Sequence, residues 1–453
     1  MPERDSKTGG LSRRDFLVST AAAAGASMLL PRAVRAEGPR GHGGEICVAL
    51  IGAGTQGREV LMVNTLKIPG VRFQAVCDIW PYHQTYASRM LARYGHPVQV
   101  YADYREMLDQ EKGLDAALVA TPEWMHAEHT IACLRAGLHV YCEKEMSNDL
   151  GQARAMVEAA RETGRLLQIG HQRRSNPRYR HAREKLLGEA KLLGRITHVY
   201  GQWNRAVKED LGWPEKHAMA AAYLQKYGYA DMHQFRNWRN YRKLGGGPIV
   251  DLGSHQIDIF HWFLGVRPRS VMASGGIDYY RHHEWYDNVM AIYEYDTPGG
   301  VARAYYQVLT TTSARGYHET FLGDEGTLQI SEDPAKIRVY AEGRIDSDAK
   351  WRPWVKKGYL VKSEPTTEEK PRPKDDVLAV YESEPVATWL MPLRADEPFH
   401  LPHLQNFFAA VRGEAKLACP AEVGYETAVA VLRVNEAVAA GKRLAFEDED
   451  FRA

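Results

Sequence analysis

The sequence predicts an α/β chain: a doubly wound parallel sheet first, then an α+β region with a mostly antiparallel open sheet. Three observations predict it. From Ile46 to about Gly170, short apolar runs alternate with helix-length segments, the rhythm of repeated βαβ units. The first apolar run ends in glycines at the G-x-G-x-x-G spacing. Past Ile196 the pattern changes to strand-length runs joined by turns.

The elements follow in order. Ile46–Ile51 is a continuous apolar run, the mark of a strand buried on both faces. Gly52 permits the tight turn after it, Gly54 lets the backbone approach a pyrophosphate, and Gly57 lets the next helix, over 58–66, pack closely. That helix turns free N–H groups and a positive dipole end toward phosphates. The run 71–77 ends in Asp78, about 20 residues past the last glycine, where a carboxylate accepts the ribose hydroxyls of a dinucleotide. Ile79, Trp80 and Pro81 offer no cation for a 2′-phosphate, so the reading is a Rossmann domain for NAD, with NADP second. Helices over 80–94, from Tyr104, over 126–136 and over 150–163 alternate with strands 98–101, 116–120, 138–142 and 166–169. Ligand groups project from strand C-terminal ends in such sheets, which singles out Gly52, Asp78, Thr121, Pro122, Glu143 and Lys144 as one crevice.

In the second half, 196–203, 270–275, 288–295, 301–309 and 319–321 read as strands. Gly323-Asp324-Glu325-Gly326 is a hairpin turn into 327–330. Residues 343–396, rich in Lys, Glu and Pro, read as an insertion or long surface loop. Segments 403–411 and 425–440 are amphipathic helices that pack back on the fold.

The N-terminus reads as an address. Ser12-Arg13-Arg14-Asp15-Phe16-Leu17 matches the twin-arginine export pattern, an Ala-rich stretch follows, and Val34-Arg35-Ala36 offers a cleavage site. The apolar stretch is shorter than the roughly 18 residues a membrane span needs. The expected organisation is a signal peptide over 1–36, an NAD-binding domain over 37–170 and an α+β substrate and oligomerisation domain over 171–453, in an exported, periplasmic protein without a membrane span. Loss of 1–36 removes six of the 58 Lys/Arg and three of the 57 Asp/Glu, leaving a formal charge of −2 and no basic cluster for nucleic acid. The five cysteines form no C-x-x-C pair and read as packing residues.

GAGTQG (52–57), ATPEWMHAEHTIACLRAGLHVYCEKE (120–145), GGGPIVDLGSHQID (245–258) and GDEGTLQI (323–330) resemble the Gfo/Idh/MocA (glucose–fructose oxidoreductase/inositol dehydrogenase) oxidoreductases. The resemblance covers most of the chain after residue 36. It implies a nicotinamide-dependent oxidoreductase, with Thr55, Gln56 and His126 joining Gly52, Gly54, Gly57, Asp78, Thr121, Pro122, Glu143 and Lys144 around the cofactor. By the same resemblance His255 is the base, Lys144 the donor to the alkoxide, and Asp251, four residues before His255, shares its helix face. Members typically carry Glu-Lys-Pro where this chain has Glu143-Lys144-Glu145, so a second carboxylate is expected beside the nicotinamide.

His171 and Arg173 are expected either to contact substrate or to sit at the domain interface, with substrate contacts also from Tyr286 and from Trp238 within an aromatic and basic stretch that includes Trp213, His233, Arg239 and Tyr241, where buried packing accounts for at least half. Asp258 and His261 read as solvated or structural. His282-His283-Glu284 matches no ligand spacing and reads as a turn, so no metal is expected. Export removes the chain from any exchanging NAD pool, which favours tight retention of the cofactor and return of the hydride within one turnover. The expected function is hydride transfer between that cofactor and a secondary hydroxyl of a sugar, cyclitol or glycoside. Alternatives are an NAD-dependent glycoside hydrolase working by transient oxidation, elimination and re-reduction, and a non-catalytic dinucleotide-binding sensor. The open sheet of the second half suits a homo-oligomer, as in relatives.

Overall fold

The computed structural model describes residues 44–363, 386–393 and 398–453. β1 (Ile46–Ile51), β2 (Val71–Cys77), β3 (Gln99–Tyr101), β4 (Ala116–Val119), β5 (His139–Cys142) and β6 (Leu167–Ile169) pair in parallel throughout, in the order β3-β2-β1-β4-β5-β6. This is the dinucleotide-binding order, and its direction reverses between β1 and β4. Ile51 pairs with both Cys77 and Val119, so Gly52, Asp78 and Ala120 leave the sheet at one level. Every residue of β1 is buried, because helices cover both faces.

In the first half, two helices depart from the expected spans. The segment after the glycines is a π-helix, Gln56–Met62, followed by a short α-helix, Val63–Thr65. The helix expected over 126–136 begins at Glu123, directly after Pro122, whose ring fixes φ for the turn into it.

The second sheet has ten strands: β7 (Ile196–Asn204), β8 (Pro268–Gly276), β9 (Asn288–Thr297), β10 (Gly300–Leu309), β11 (Tyr317–Gly323), β12 (Gly326–Ile330), β13 (Arg338–Ala341), β14 (Val361–Lys362), β15 (Ala387–Leu390) and β16 (Leu444–Ala445). Their order is β14-β15-β13-β12-β11-β7-β10-β9-β8-β16. β7 and β10 run parallel and the other pairs antiparallel. Met272, Met290, Ile292 and Leu322 stand exposed on it.

The stretch 343–396 differs from a plain surface loop. Its described part holds the helices Ser347–Lys350 and Arg352–Lys356, and β14 and β15 extend the sheet edge, with Trp351, Leu360 and Trp389 buried beneath. Strands of two and four residues carry too little period to show through a Lys/Glu/Pro-rich composition. Residues 1–43, which include the segment 1–36 read above as a signal peptide, and residues 364–385 and 394–397 lie outside the described residues.

Both C-terminal helices begin earlier than expected, as Leu401–Val411 and Ala421–Ala440. The first buries Leu404, Phe407, Phe408 and Val411 against Val48, Leu50 and Leu118 of the parallel sheet. Each such side chain contributes about 1.5–3 kcal/mol of transfer free energy, so the end of the chain clamps the first sheet. The long helix packs against both β8 and the helix Leu150–Thr163, joining the two layers. All five cysteines are free and buried. Among the described residues no helix is long and apolar enough to cross a membrane.

Candidate active site

The glycine turn is built by close approach. Gly52 donates its N–H to Cys77 O at 2.8 Å and takes φ +89°, and a Cβ there would meet the Ala120 carbonyl at 2.7 Å. A Cβ on Gly57 would lie 1.9 Å from Gly52 O, so Gly57 works beneath the turn and not in the cavity above it. Gly54 has only His83 nearby, at 4.0 Å, which leaves its backbone open to a ligand. Asp78 is fixed at the end of β2: its carboxylate accepts from Ala53 N at 2.7 Å and Trp80 N at 2.8 Å, with His83 Nδ1 at 3.2 Å. An open glycine backbone beside an anchored carboxylate fits the pyrophosphate and ribose of NAD.

Gly52, Gly54, Thr55, Gln56, Asp78, Thr121, Pro122, His126, Glu143 and Lys144 line one cavity of about 1600 Å³, and Asp251, His255, Trp238 and Tyr286 line it too. Gln56 and His126 are engaged with other loops of the protein. Gln56 Nε2 donates to Glu143 Oε1 at 3.0 Å and meets His400 Nε2 at 3.3 Å. His126 spans two strand-end loops, with Nδ1 2.7 Å from Glu145 O and Nε2 2.7 Å from Thr121 O.

Asp251 and His255, four residues apart, both line the cavity. The helix begins at Pro248, and Ile249–Gly253 is a π-turn that runs into the α-helix Ser254–Leu264; such turns are frequent at functional sites. Asp251 directs its carboxylate to Arg239 at 3.1 Å and Arg205 at 3.7 Å. Its backbone carbonyl, and not its carboxylate, accepts from Lys144 Nζ. Burial would raise the Asp251 carboxyl, but Arg239, Lys144 and Arg205 outweigh it and hold it below the usual range.

His255 lies 5.5 Å from the Trp203 ring, and its Nδ1 has no protein partner. Burial, then the charges of Lys144 and Arg173, hold its imidazole well below the usual range and therefore neutral. A neutral imidazole and an ammonium on one cavity wall are what removing a hydroxyl proton and stabilising the resulting oxyanion require.

Glu145 is not beside the nicotinamide position. Its side chain is wholly buried outside the cavity, accepts from Met146 N at 2.8 Å, and has its carboxyl pushed up to about 8 by burial. The Lys144–Glu145 peptide is cis. His171 and Arg173 also leave the substrate wall. Both are about 1% exposed and outside the cavity, and Arg173 pairs with Glu319 and, at 3.1 Å, with Glu332. Asp258 is structural and not solvated: it is buried and holds Arg174 at 2.8 Å and Thr427 Oγ1 at 3.0 Å.

Several cavity residues were not singled out by the sequence. Glu123 accepts from Gly246 N at 3.0 Å, and burial, with the Asp251 charge, raises its carboxyl to about 7. Arg205, Gln172 and His400 come from connections without period or motif. Glu123, within the 120–145 stretch, Trp203, on a predicted strand, and Arg239, in the aromatic and basic stretch, fell in segments already marked but were not singled out.

Strand order, glycine turn and crevice define a two-sheet, dinucleotide-binding α/β protein. The chain belongs to the Gfo/Idh/MocA oxidoreductase family: residues 46–171 match its NAD-binding Rossmann fold and residues 215–446 its C-terminal alpha/beta domain. It is similar to the D-glucoside 3-dehydrogenase of Escherichia coli (strain K12), 29% identical over 219 residues, which cover 48% of this chain and 54% of that protein. A Glycosyl hydrolase family 109 protein of Stenotrophomonas maltophilia (strain K279a) is 33% identical over 139 residues, 29% of each chain. The chain thus spans about half the length, or less, of these curated relatives. Among solved structures, aldose-aldose oxidoreductase from Caulobacter crescentus, complexed with glycerol, superposes with a TM-score of 0.64 at 18% identity, covering 89% of this chain and all of that one, a likeness of fold.

Proposed function

We propose that the protein oxidises a secondary hydroxyl of a sugar, cyclitol or glycoside with a tightly held NAD and returns the hydride before the cofactor leaves. One observation carries the reading: a single cavity has the glycine turn and Asp78 at its cofactor end, and Lys144 and His255 among its other lining residues. NAD supplies the hydride acceptor. Asp78 binds the ribose hydroxyls, Gly52 makes the turn, and Gly54 leaves its backbone free for the pyrophosphate. His255 takes the substrate hydroxyl proton, Lys144 steadies the oxygen left behind, and Asp251, held by Arg239 and Arg205, positions Lys144 through its carbonyl. Trp238 and Tyr286 form the sugar wall. The twin-arginine pattern at Ser12–Leu17 supports export to the periplasm, and export in turn favours a retained cofactor. Exposed Met272, Met290 and Ile292 on the second sheet support pairing of two copies.

A second reading is NAD-dependent glycoside cleavage, supported by the family 109 similarity and by Glu123. With its carboxyl near 7, Glu123 is suited to take the C–H proton that a transient neighbouring ketone acidifies, after which the glycosidic oxygen departs. The test is to purify the full chain and follow reduced-nicotinamide absorbance while adding sugars and aryl glycosides. Reduced cofactor that persists until a second sugar is added supports the oxidoreductase. Aglycone release without net reduction supports cleavage. No bound dinucleotide and no uptake of added NAD overturns both.

A further inference from the structure

Near the crevice wall, side chains from three separate segments converge on one carboxylate. Asp210 follows β7. Its Oδ2 lies 2.9 Å from His233 Nε2 and 3.2 Å from His282 Nε2, and its Oδ1 lies 3.2 Å from His283 Nε2 and 3.0 Å from Asn240 Nδ2. Three imidazoles thus present the same ring nitrogen to one carboxylate. Ligand atoms of Asp210, His282 and His283 all fall within 4.8 Å of one another. In a tetrahedral zinc site with bonds of ~2.0–2.1 Å, ligand atoms stand ~3.3 Å apart. The carboxylate-to-imidazole distances are already close to that.

The orientation of the rings is not incidental. Adjacent residues in an extended chain point to opposite faces, yet His282 and His283 both return to Asp210, because His283 N bonds Tyr280 O and Glu284 N bonds Asn240 O in the connection between β8 and β9. His233 Nδ1 sits 3.0 Å from the Tyr241 hydroxyl, which fixes its ring against Asp210. The His283 ring stacks on Tyr280 at 4.5 Å.

We propose that Asp210, His282 and His283 form a site for a divalent transition metal of the zinc class. Two imidazoles and one carboxylate suit zinc, whereas calcium and magnesium take six or more oxygen ligands. Three protein ligands leave the fourth tetrahedral position to water. The ion ties the segment after β7 to the β8–β9 connection, with His233 held against the same carboxylate at 2.9 Å. Asp210 and His283 also line the cavity that contains Lys144 and His255, so the ion braces the crevice. The three ligands sit at no motif spacing, which is why His282-His283 alone gave no metal signal.

The test uses the full chain without an affinity tag, dialysed against chelator and titrated with cobalt(II) and then zinc. One equivalent of cobalt giving the intense visible bands of tetrahedral coordination, displaced by zinc, is the expected result, with a thermal midpoint that rises with zinc concentration. The His282 side chain is 64% exposed, so His282→Ala leaves the fold intact by circular dichroism while lowering cobalt affinity by at least ~10-fold; Asp210→Asn does the same. No tetrahedral spectrum in the unaltered chain overturns the proposal, as does a spectrum and affinity unchanged in both variants.

Discussion

Arg173, Glu319, Glu332 and Tyr179 form one buried polar cluster, and Lys144, Asp251 and His255 form another from similar kinds of side chain. In the first, all four carboxylate oxygens are used within the protein: Glu319 accepts from Arg173 and Tyr179, and Glu332 from Gln172 and Arg173. In the second, His255 Nδ1 is unpartnered and Lys144 gives one hydrogen bond, to a backbone carbonyl, on the wall of a large cavity. A closed polar set fixes two layers against each other. An open one keeps donors and acceptors for something that arrives later.

The largest effects separate the two clusters. Removing the open cluster's donor, Lys144→Ala, is expected to lower turnover about 10³-fold with little change in the denaturant midpoint. Removing the closed cluster's cation, Arg173→Met, leaves Glu319 and Glu332 buried without compensation. It should cost about 3–5 kcal/mol in urea unfolding, while turnover per folded molecule changes little. Equal stability losses in both variants would erase the distinction.

The distinction also shows what the sequence made legible. Apolar runs and the strand-end rule gave the first sheet and put Gly52, Asp78, Thr121, Pro122, Glu143 and Lys144 on one crevice, because parallel strands send their ends to one side. The same rule left His171 and Arg173 with two equal readings, substrate contact or domain interface. They also follow a strand, but the chain turns there beneath the second sheet, where Glu319 and Glu332 wait from β11 and just past β12. The sequence places Asp251 and His255 on one helix and both line the cavity, but the π-turn between them leaves no mark in the hydrophobic pattern. Glu123, Arg205 and His400 reach the cavity through tertiary contacts no local period records.

At the cofactor end the comparison sharpens again, because Asp78 mixes both roles: it holds the Ala53 and Trp80 amides and faces the cavity. Asp78→Asn keeps the size and loses the charge-assisted bonds to ribose, each about 1.5–3 kcal/mol. NAD affinity by calorimetry should fall about 10- to 100-fold, with a smaller loss of stability than Arg173→Met. A variant that unfolds but, when stabilised, binds NAD normally would make Asp78 a member of the closed class.

The smallest effect concerns pH, and the two kinds of burial should differ in sign. His255 is held well below the imidazole range by burial and then by Lys144 and Arg173. The base must be neutral, so oxidation depending on it persists as pH falls through about 6.5 and fails only nearer the depressed folded value. We expect kcat/KM to stay within ~2-fold from pH 8 to 6; an acidic limb centred near 6.5 would mean a solvated base elsewhere. Stability behaves differently. His126 and His171 are lowered to about 4, and His261 and His403 to about 3, chiefly by burial. Below their ordinary range the unfolded chain takes up protons that the folded chain refuses, so stability falls as pH drops from about 6.5 toward 4 while the rate holds. Glu145 acts in the opposite direction. Its carboxyl, raised to about 8 by burial, contributes stability fully below the ordinary carboxyl range and loses it progressively as pH rises from there to about 8. Glu145→Gln, a neutral amide of the same shape, should therefore remove that opposing slope, so the fall in urea midpoint below about 6.5 becomes steeper.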